Sequence, residues 1–189
     1  MNLILVRHGE ISSNVMKVYA GRSSEELNER GIKQAHEVAD KIDAYNVNSL
    51  YSSPVIRAVQ TAQIISNKIG KDNIIEENFR EIEMGPWEGL SEEKITELYP
   101  LEWGIWQKFP VSLNLPGRET LNELLHRVLT GVSKIHDNNI DQTVVVVTHV
   151  AIIRVLLLWH AQRSLNLYKQ VYVPNAEIFE VNIETNDRL

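Results

Sequence analysis

Residues 3–8 of the chain read Leu-Ile-Leu-Val-Arg-His, an apolar run that ends in two basic side chains. A short run without polar interruption is typical of a strand that is buried on both faces of a parallel sheet. Residues 143–149 read Thr-Val-Val-Val-Val-Thr-His, which repeats the pattern in β-branched residues and again ends in a histidine. The two runs therefore predict two central strands, each with a histidine at its carboxyl end.

The rest of the chain alternates between helical and β-rich segments, which indicates an α/β fold. Apolar spacing predicts helices over residues 28–45, 120–135 and about 150–161. A brief strand at residues 50–51 precedes Ser53, the expected N-cap, and Pro54, the expected first residue of a helix that ends at Gly70. Residues 74–75, 171–173 and 178–183 predict short strands. We expect a three-layer sandwich with a mostly parallel central sheet and helices on both faces.

Residues 85–117 interrupt this alternation. They hold three of the four tryptophans, Trp87, Trp103 and Trp106, together with several prolines. We interpret this segment as a lid-like insertion in a single domain that spans residues 1–189, because long connections of this kind often carry function. The tryptophans would either face an organic group of a ligand or anchor the lid to the domain, and the sequence favours neither reading.

The composition excludes several classes of protein. Of the 189 residues, 43% are hydrophobic, which excludes global disorder. The net charge of −6, without a basic block, argues against binding to nucleic acid or an anionic membrane. The absence of cysteine excludes disulfides, thiolate metal sites and cysteine nucleophiles. The opening apolar run is too short for a signal peptide and no later run is long enough to span a membrane, so we expect a cytoplasmic protein.

Four side chains are candidates for chemistry. Ligands of open α/β sheets bind beyond the carboxyl ends of the strands, so His8 and His149 are candidates for one site. A single histidine at such a position is as often a surface residue, but two of them favour a function. Arg57 falls in the first turn of a predicted helix, where the helix dipole disfavours a cation unless an anion lies opposite, so an anion site is favoured over a solvated arginine. Glu81 lies in an acidic stretch and by itself suggests only a surface carboxylate.

The chain resembles the histidine phosphatase superfamily, in its phosphoglycerate-mutase-like branch. The resemblance covers residues 3 to about 155 and rests on blocks that follow the family order. They are Arg7-His8-Gly9-Glu10 with Asn14, Ala20-Gly21 with residues 27–35, Ser52-Ser53-Pro54 with Arg57 and Thr61, Arg80-Glu81-Ile82 with Gly85 and Trp87, Pro116-Gly117 with Glu119 and Arg127, and Val147-Thr148-His149. The family usually has glycine after the second histidine, where this chain has Val150. We expect this change to narrow the pocket or alter its backbone while the imidazole is retained.

The resemblance implies an enzyme that transfers a phosphoryl group to a histidine. The implied site residues are His8, Glu81, His149, Arg7 and Arg57 for catalysis, and Asn14, Ala20, Gly21 and Arg57 for substrate binding. His8 would be the nucleophile, with its tautomer fixed by a backbone carbonyl. Glu81 would protonate the leaving alkoxide and then activate water, and it is preferred to Glu83 because the family's acid lies four residues before Gly85. Neither a metal nor a cofactor is implied.

Three functions remain open on the sequence alone. A mutase needs further cations to hold a second phosphate, whereas the basic residues between Glu81 and His149, such as Arg118 and Arg127, are scattered singly. We therefore expect hydrolysis of a small phosphorylated metabolite, as in α-ribazole-phosphate, broad-specificity or phosphoserine-type phosphatases. The alternatives are a cofactor-dependent phosphoglycerate mutase and a non-catalytic phospho-ligand binder, although a binder needs no general acid. A homodimer is compatible with the sequence, and the remaining helical histidines, His36, His126 and His136, are expected to face solvent.

Overall fold

The computed structural model describes residues 1–184. In that part of the chain a sheet contains β1 (Asn2–Arg7), β2 (Ser49–Ser52), β3 (Asn73–Ile75), β4 (Thr143–Thr148) and β5 (Ile178–Asn182). Their spatial order is β3-β2-β4-β1-β5. All neighbouring pairs are parallel except β1 and β5, which are antiparallel. The prediction of an α/β fold with a mostly parallel sheet is confirmed.

The two strands with terminal histidines are direct neighbours. The parallel register pairs Leu3 with Val144 and Arg7 with Thr148. Because both strands run in the same direction, the residues that follow them leave the same edge of the sheet. The register therefore brings His8 and His149 to one place, although more than a hundred residues separate them in the sequence.

Helices cover both faces of the sheet, as expected. They are α1 (Ser12–Met16), α2 (Glu29–Asp43), α3 (Ile56–Ile69), α4 (Glu92–Leu98), α5 (Pro100–Lys108), α6 (Leu121–Asp137) and α7 (Val150–His160). Alternate strand residues such as Ile4 and Val147 pack with buried residues of α2 and α3. Leu5 and Val146 face the other way and join a cluster with α6 and α7. The apolar runs have no polar gap because both of their faces are covered.

Residues 85–117, the segment interpreted from the sequence as a lid-like insertion, contain α4 and α5 and pack on the same face as α6 and α7. The ring of Trp87 is fully buried, and its centroid lies 5.8 Å from that of Trp103 and 6.2 Å from that of Trp106. These rings share one buried cluster with Leu5 of the sheet. The tryptophans therefore anchor the segment, and Trp106 also lines the cavity described below.

Several local predictions were wrong. The helix α3 begins at Ile56 with Val55 as its N-cap, so neither the N-cap predicted at Ser53 nor the first helical residue predicted at Pro54 is found there. The Ser53 hydroxyl instead accepts a hydrogen bond from the Val55 N–H and contacts His149. Residues 171–173 form no strand, and the Val173 carbonyl accepts a hydrogen bond from Arg7 instead of from a neighbouring strand. His136 is buried and does not face solvent. By contrast, α3 ends at Gly70 in the left-handed conformation, as predicted.

No helix in residues 1–184 is both long and apolar enough to cross a membrane.

Candidate active site

His8 is held at the carboxyl end of β1 by its neighbours on both sides. Its N–H donates to the carbonyl of Thr148 at 3.0 Å, and its carbonyl accepts from Nδ2 of Asn175 at 3.1 Å. The next residue must be glycine, because a Cβ on Gly9 would lie 2.3 Å from the carbonyl oxygen of Gly31. The backbone around the histidine is therefore fixed by tight packing as well as by hydrogen bonds.

Two contacts define the protonation state of the His8 ring. Nδ1 lies 2.7 Å from the carbonyl oxygen of Gly9, which can only accept a hydrogen bond. Nε2 accepts a hydrogen bond of 3.2 Å from Nε of Arg57. Burial, followed by the charges of Arg57 and Arg7, keeps the pKa of His8 well below its usual 6.5. The ring is thus neutral, with its proton on Nδ1 and a lone pair on Nε2, and the Gly9 carbonyl plays the part expected of a backbone acceptor.

His149 packs directly beside this ring. The two ring centroids are 5.1 Å apart, and Nε2 of His149 lies 2.7 Å from the hydroxyl of Ser53. Nδ1 is buried and has no partner among the described residues. Burial is the largest of the effects that hold the pKa of His149 well below its usual value. An unpartnered nitrogen beside the nucleophile candidate is suited to bind a ligand oxygen.

The two predicted arginines place positive charge around Nε2 of His8. Arg57 lies in the first turn of α3, and its terminal nitrogens donate to the carbonyls of Gly21, at 2.6 Å, and Ser23, at 3.1 Å. Arg7 donates to the carbonyl of Val173 at 2.6 Å, while its buried Nε has no partner in residues 1–184. Burial lowers the pKa of Arg7 to about 10. Neither arginine forms an ion pair within the described residues, so the charge of both is available to an anion.

Glu81 is a buried carboxyl group at the same cavity. Its Oε1 accepts from the N–H of Ile82 at 2.8 Å, and burial raises its pKa despite the opposing charge of Arg57. Its carbonyl accepts from Nε of Arg22 at 3.0 Å and from Arg127 at 3.3 Å. A raised pKa and a fixed backbone suit a group that donates and then takes up a proton.

The residues predicted for substrate binding lie around the same space. Oδ1 of Asn14 accepts from the N–H of Ile11 and from Nδ2 of Asn175, which leaves the amide nitrogen of Asn14 as a donor. Gly21 has a φ of 53°, and its carbonyl is the acceptor of Arg57. Asn175 was not predicted from the sequence, because a lone asparagine near the end of the chain gives no pattern.

All the predicted site residues except His149 line one cavity of about 240 Å³, and His149 packs against the ring of His8. Val150 also lines the cavity. In the folded chain, Arg118 lines the cavity together with Arg154 and Lys169, which lie outside the interval from Glu81 to His149. Arg118 is distant in sequence from the other two, so their proximity had no signal in the sequence.

The fold and this site, in which His8, two arginines and a buried carboxyl group line one cavity and His149 packs against His8, match a known class of enzymes. The family described as histidine phosphatase superfamily (branch 1) matches residues 3–188, and the chain belongs to this family. Phosphoserine phosphatase 1 of Hydrogenobacter thermophilus is 33% identical over 156 residues, which cover 82% of this chain and 74% of that protein.

Solved structures agree with this assignment. Bacillus stearothermophilus YhfR superposes with a TM-score of 0.92 at 25% identity and covers 97% of this chain and 92% of its own. A mutant phosphoserine phosphatase from Entamoeba histolytica, in complex with phosphoserine, has a TM-score of 0.85 at 28% identity and covers 95% of this chain and 89% of its own. The protein is a phosphoric monoester hydrolase of the histidine phosphatase type.

Proposed function

We propose that this chain hydrolyses a small phosphomonoester through a phosphohistidine on Nε2 of His8, without a metal ion. The observation that carries the proposal is the protonation state of the buried His8 ring, which presents a lone pair on Nε2 beside Arg57 and Arg7. A neutral imidazole among cations is a nucleophile placed where a phosphate dianion binds.

In the first step, Nε2 of His8 attacks phosphorus in line with the ester oxygen. The N–P bond forms while the P–O bond to the leaving group breaks, and Glu81 gives its proton to the departing alkoxide. Arg7, Arg57 and an N–H at Nδ1 of His149 stabilise the negative charge on the transferred oxygens, because the Ser53 hydroxyl partners the other ring nitrogen of His149. The raised pKa of Glu81 supports this role, because the carboxyl group must be protonated when the ester binds.

In the second step, the Glu81 carboxylate takes a proton from water as the water oxygen attacks phosphorus. The N–P bond breaks, its electron pair returns to Nε2 of His8, and inorganic phosphate leaves. Because Nδ1 of His8 keeps its proton throughout and donates it in a hydrogen bond to the Gly9 carbonyl, Nε2 alternates between bonding phosphorus and carrying a lone pair.

Metal independence is supported by the kind of groups that surround the cavity. Charge on a transferred phosphoryl group is often neutralised by a divalent ion. In this cavity the guanidinium groups of Arg7 and Arg57 supply positive charge instead. Residues 1–184 contain no cluster of three or more His, Cys, Asp or Glu side chains that could hold a metal ion.

The substrate is expected to be a small phosphorylated metabolite rather than nucleic acid or a membrane surface. The cavity of about 240 Å³ is small for a ligand site and suits a substrate of few atoms. The relative from Hydrogenobacter thermophilus is named a phosphoserine phosphatase, and the relative from Entamoeba histolytica is solved with phosphoserine. We therefore rank phosphorylated three-carbon acids first among the substrates to test.

The mechanism is tested by trapping the intermediate. Wild-type protein is mixed with an excess of phosphomonoester, quenched in alkali, and examined by intact-mass spectrometry and peptide mapping. We expect one phosphoryl group on His8 that is lost in acid, together with steady release of inorganic phosphate. His8→Ala should show neither, while His36→Ala, at an exposed histidine of α2, should behave as wild type. Phosphate release by His8→Ala above a few per cent of the wild-type rate would refute the intermediate.

A phosphoglycerate mutase is the second candidate, and one observation favours keeping it. Arg118, Arg154 and Lys169 line the cavity, so a second anionic group has cations available to it. The two activities are separated on one preparation, by measuring phosphate release and 3-/2-phosphoglycerate interconversion with and without 2,3-bisphosphoglycerate. Interconversion as fast as hydrolysis would replace the phosphatase proposal.

A further inference from the structure

The peptide unit between Glu81 and Ile82 uses both of its polar atoms to connect the cavity with its surroundings. Its N–H donates to Oε1 of the Glu81 side chain at 2.8 Å. Its carbonyl oxygen accepts from Nε of Arg22 at 3.0 Å and from Nη2 of Arg127 at 3.3 Å. Because a peptide unit is planar, its carbonyl and its N–H turn together. The groups that hold the carbonyl therefore also direct the N–H at the carboxyl group.

The two arginines come from different elements and are joined by one carboxylate. Arg127 belongs to α6, whereas Arg22 follows Gly21, which lines the cavity. Glu119 accepts two hydrogen bonds from Arg127, at 2.6 and 2.9 Å, and forms an ion pair of 3.6 Å with Arg22. The side chain of Glu119 is only 11% exposed. A bidentate ion pair within a network is the kind that fixes geometry, unlike an isolated exposed pair.

The chain that leads into Glu81 is also held in place. Nη1 of Arg127 donates to the carbonyl of Asn78 at 2.6 Å. The hydroxyl of Thr148, at the end of β4, donates to the carbonyl of Phe79 at 2.9 Å. The backbone before Glu81 is thus fixed by α6 and by β4, and the two arginines on its carbonyl fix the direction of the peptide unit that follows.

The direction of the Glu81 carboxyl group matters for the proposed acid catalysis. A general acid must lie within hydrogen-bond reach of the leaving oxygen, and a displacement of about 1 Å can cost about 10²-fold in rate. In a neutral carboxyl group, the oxygen that accepts a hydrogen bond is the one without the proton. Because Oε1 accepts from the Ile82 N–H, the proton of the acid lies on Oε2.

We propose that Arg22 and Arg127 are positioning residues for the general acid, and that they act through the peptide unit that follows Glu81. By holding its carbonyl, they keep its N–H on Oε1 and so direct the Oε2 proton at the leaving oxygen. This inference rests on the proposed function, because it requires Glu81 as the general acid. Neither arginine is among the residues that line the cavity, in the part of the chain that the structure describes, so both act from outside it.

The charges around the carboxyl group determine how its pKa responds. Burial has the largest effect and raises the pKa of Glu81, whereas Arg57 and Arg7 lower it. Arg127 and the hydrogen bond from the following N–H also lower it. Tyr168, which interacts with the carboxylate too, is neutral because burial raises its own pKa to about 12. Loss of the N–H from Oε1 would remove a bond that favours the ionised form, so the pKa of Glu81 would rise further.

A double-mutant cycle on glycerol 3-phosphate tests the proposal. Arg22→Met, Glu81→Gln and the double variant are compared with wild type. We expect Arg22→Met to lower kcat by about tenfold to 10²-fold, because the acid loses its direction, and to change KM little. In the Glu81→Gln background, which has no proton to direct, Arg22→Met should cause no further loss. On p-nitrophenyl phosphate the loss should be smaller, because nitrophenolate leaves without a proton.

Glu83→Gln is the matched control for the side-chain contacts of Arg22. This change removes the exposed ion pair of 3.1 Å but leaves Nε of Arg22 on the Glu81 carbonyl. Its kcat should stay within about twofold of wild type. Arg22→Ala should reproduce Arg22→Met, and it takes the place of that variant if Arg22→Met does not fold. The same loss from Arg22→Met in the wild-type and Glu81→Gln backgrounds would reduce Arg22 to a structural role, and an unchanged kcat in the Arg22 variants would equally overturn the proposal.

A spectroscopic measurement separates this inference from the proposed function, because it requires no turnover. In ¹H–¹⁵N correlation spectra, the amide proton of Ile82 should move downfield as Glu81 ionises, since it donates to Oε1. In Arg22→Met most of this movement should be lost and its midpoint should shift to higher pH, while Glu83→Gln should match wild type.

The two failures are then distinguishable. If Glu81→Gln hydrolyses glycerol 3-phosphate as fast as wild type, the proposed function fails at its general acid, whatever the Ile82 amide shows. If Glu81→Gln is slow but the titration of the Ile82 amide is the same in Arg22→Met as in wild type, the positioning role fails and the general acid stands.

Discussion

Nε of Arg57 donates a hydrogen bond to Nε2 of His8 at 3.2 Å, so the nucleophile candidate and a phosphate-binding candidate contact each other directly. An arginine N–H can only donate, which requires a lone pair on Nε2. The same contact keeps a cation close to the ring and thereby disfavours a second proton on it. A bound phosphoryl group would take this N–H on one of its oxygens, which would free the lone pair for attack.

We expect the resting enzyme to hold His8 in the neutral form with its proton on Nδ1. Nitrogen chemical shifts from long-range ¹H–¹⁵N correlation spectra distinguish this tautomer from the other and from imidazolium. The shifts should stay those of the Nδ1–H tautomer at pH values well below the usual pKa of a histidine, 6.5. In Arg57→Met the pKa of His8 should rise, because a neighbouring positive charge has been removed. An Nε2–H tautomer in wild type at neutral pH would contradict the mechanism.

The buried histidines also make stability depend on pH. The pKa of His8 is lower in the folded protein than the 6.5 of an exposed histidine, so below that pH the unfolded chain binds a proton that the folded chain does not. The contribution of His8 to the free energy of unfolding is therefore complete above pH 6.5 and is lost as the pH falls toward the pKa of His8 in the folded protein. We expect the loss to reach about 1.4 kcal/mol per buried histidine one pH unit below the usual value.

Urea denaturation in buffers at about pH 7.5 and about pH 5.5 measures this effect. The free energy of unfolding should fall between the two pH values in both proteins. The fall should be about 1.4 kcal/mol smaller in His8→Ala than in wild type. His36→Ala is the matched control, since His36 is exposed, and its loss should equal that of wild type. Identical losses in wild type and His8→Ala would mean that His8 is not held neutral by its surroundings.

Much of the fold could be predicted from sequence, because the two central strands have an almost uninterrupted apolar pattern. The runs at residues 3–6 and 143–147 are apolar almost throughout, and the structure buries both of their faces. The helix signals were similarly local, as in the Gly70 cap and the spacing in α2. The amino-acid sequence alone was therefore enough to place the residues that follow these strands at one edge of the sheet.

The parts that were missed depend on contacts between distant segments. Residues 171–173 are β-branched or aromatic, as is typical of a strand. Two of their carbonyls, however, accept hydrogen bonds from Arg7 and Arg154 instead of pairing with another strand. Nδ2 of Asn175 donates hydrogen bonds to the carbonyl of His8 and to Oδ1 of Asn14. No local sequence pattern predicts these contacts. Arg118 and Lys169 likewise line one cavity although they are about fifty residues apart in the sequence.

Activity should survive removal of divalent ions and be inhibited by vanadate. The cavity presents arginine and histidine to the phosphoryl group, so exhaustive dialysis against a chelator should leave the rate of phosphate release unchanged. Vanadate adopts the five-coordinate geometry of the transferred group and should compete with substrate. A rate that is lost with the chelator and restored by a divalent ion would refute the metal-free mechanism.

Replacement of Glu81 should lower the reaction rate most for substrates whose leaving group is most basic. General acid catalysis by a positioned side chain contributes about 10²- to 10⁴-fold when the departing oxygen is a basic alkoxide. Glu81→Gln should therefore lower the rate on an alkyl phosphate by about that factor. Nitrophenolate leaves without a proton, so the loss on p-nitrophenyl phosphate should be smaller and should reflect only the part that Glu81 plays in hydrolysing the phosphohistidine.

Glu83→Gln is the matched control for this assignment. Glu83 lies two residues further along the chain, is exposed, and forms an ion pair of 3.1 Å with Arg22, whose Nε also holds the Glu81 carbonyl. An exposed pair of this kind contributes little, so Glu83→Gln should stay within about twofold of wild type on both substrates. Plots of log kcat/KM against leaving-group pKa should be steeper for Glu81→Gln than for wild type and for Glu83→Gln. Equal slopes for all three proteins would place the general acid elsewhere. So would a large loss of kcat/KM in Glu83→Gln together with a nearly unchanged value in Glu81→Gln.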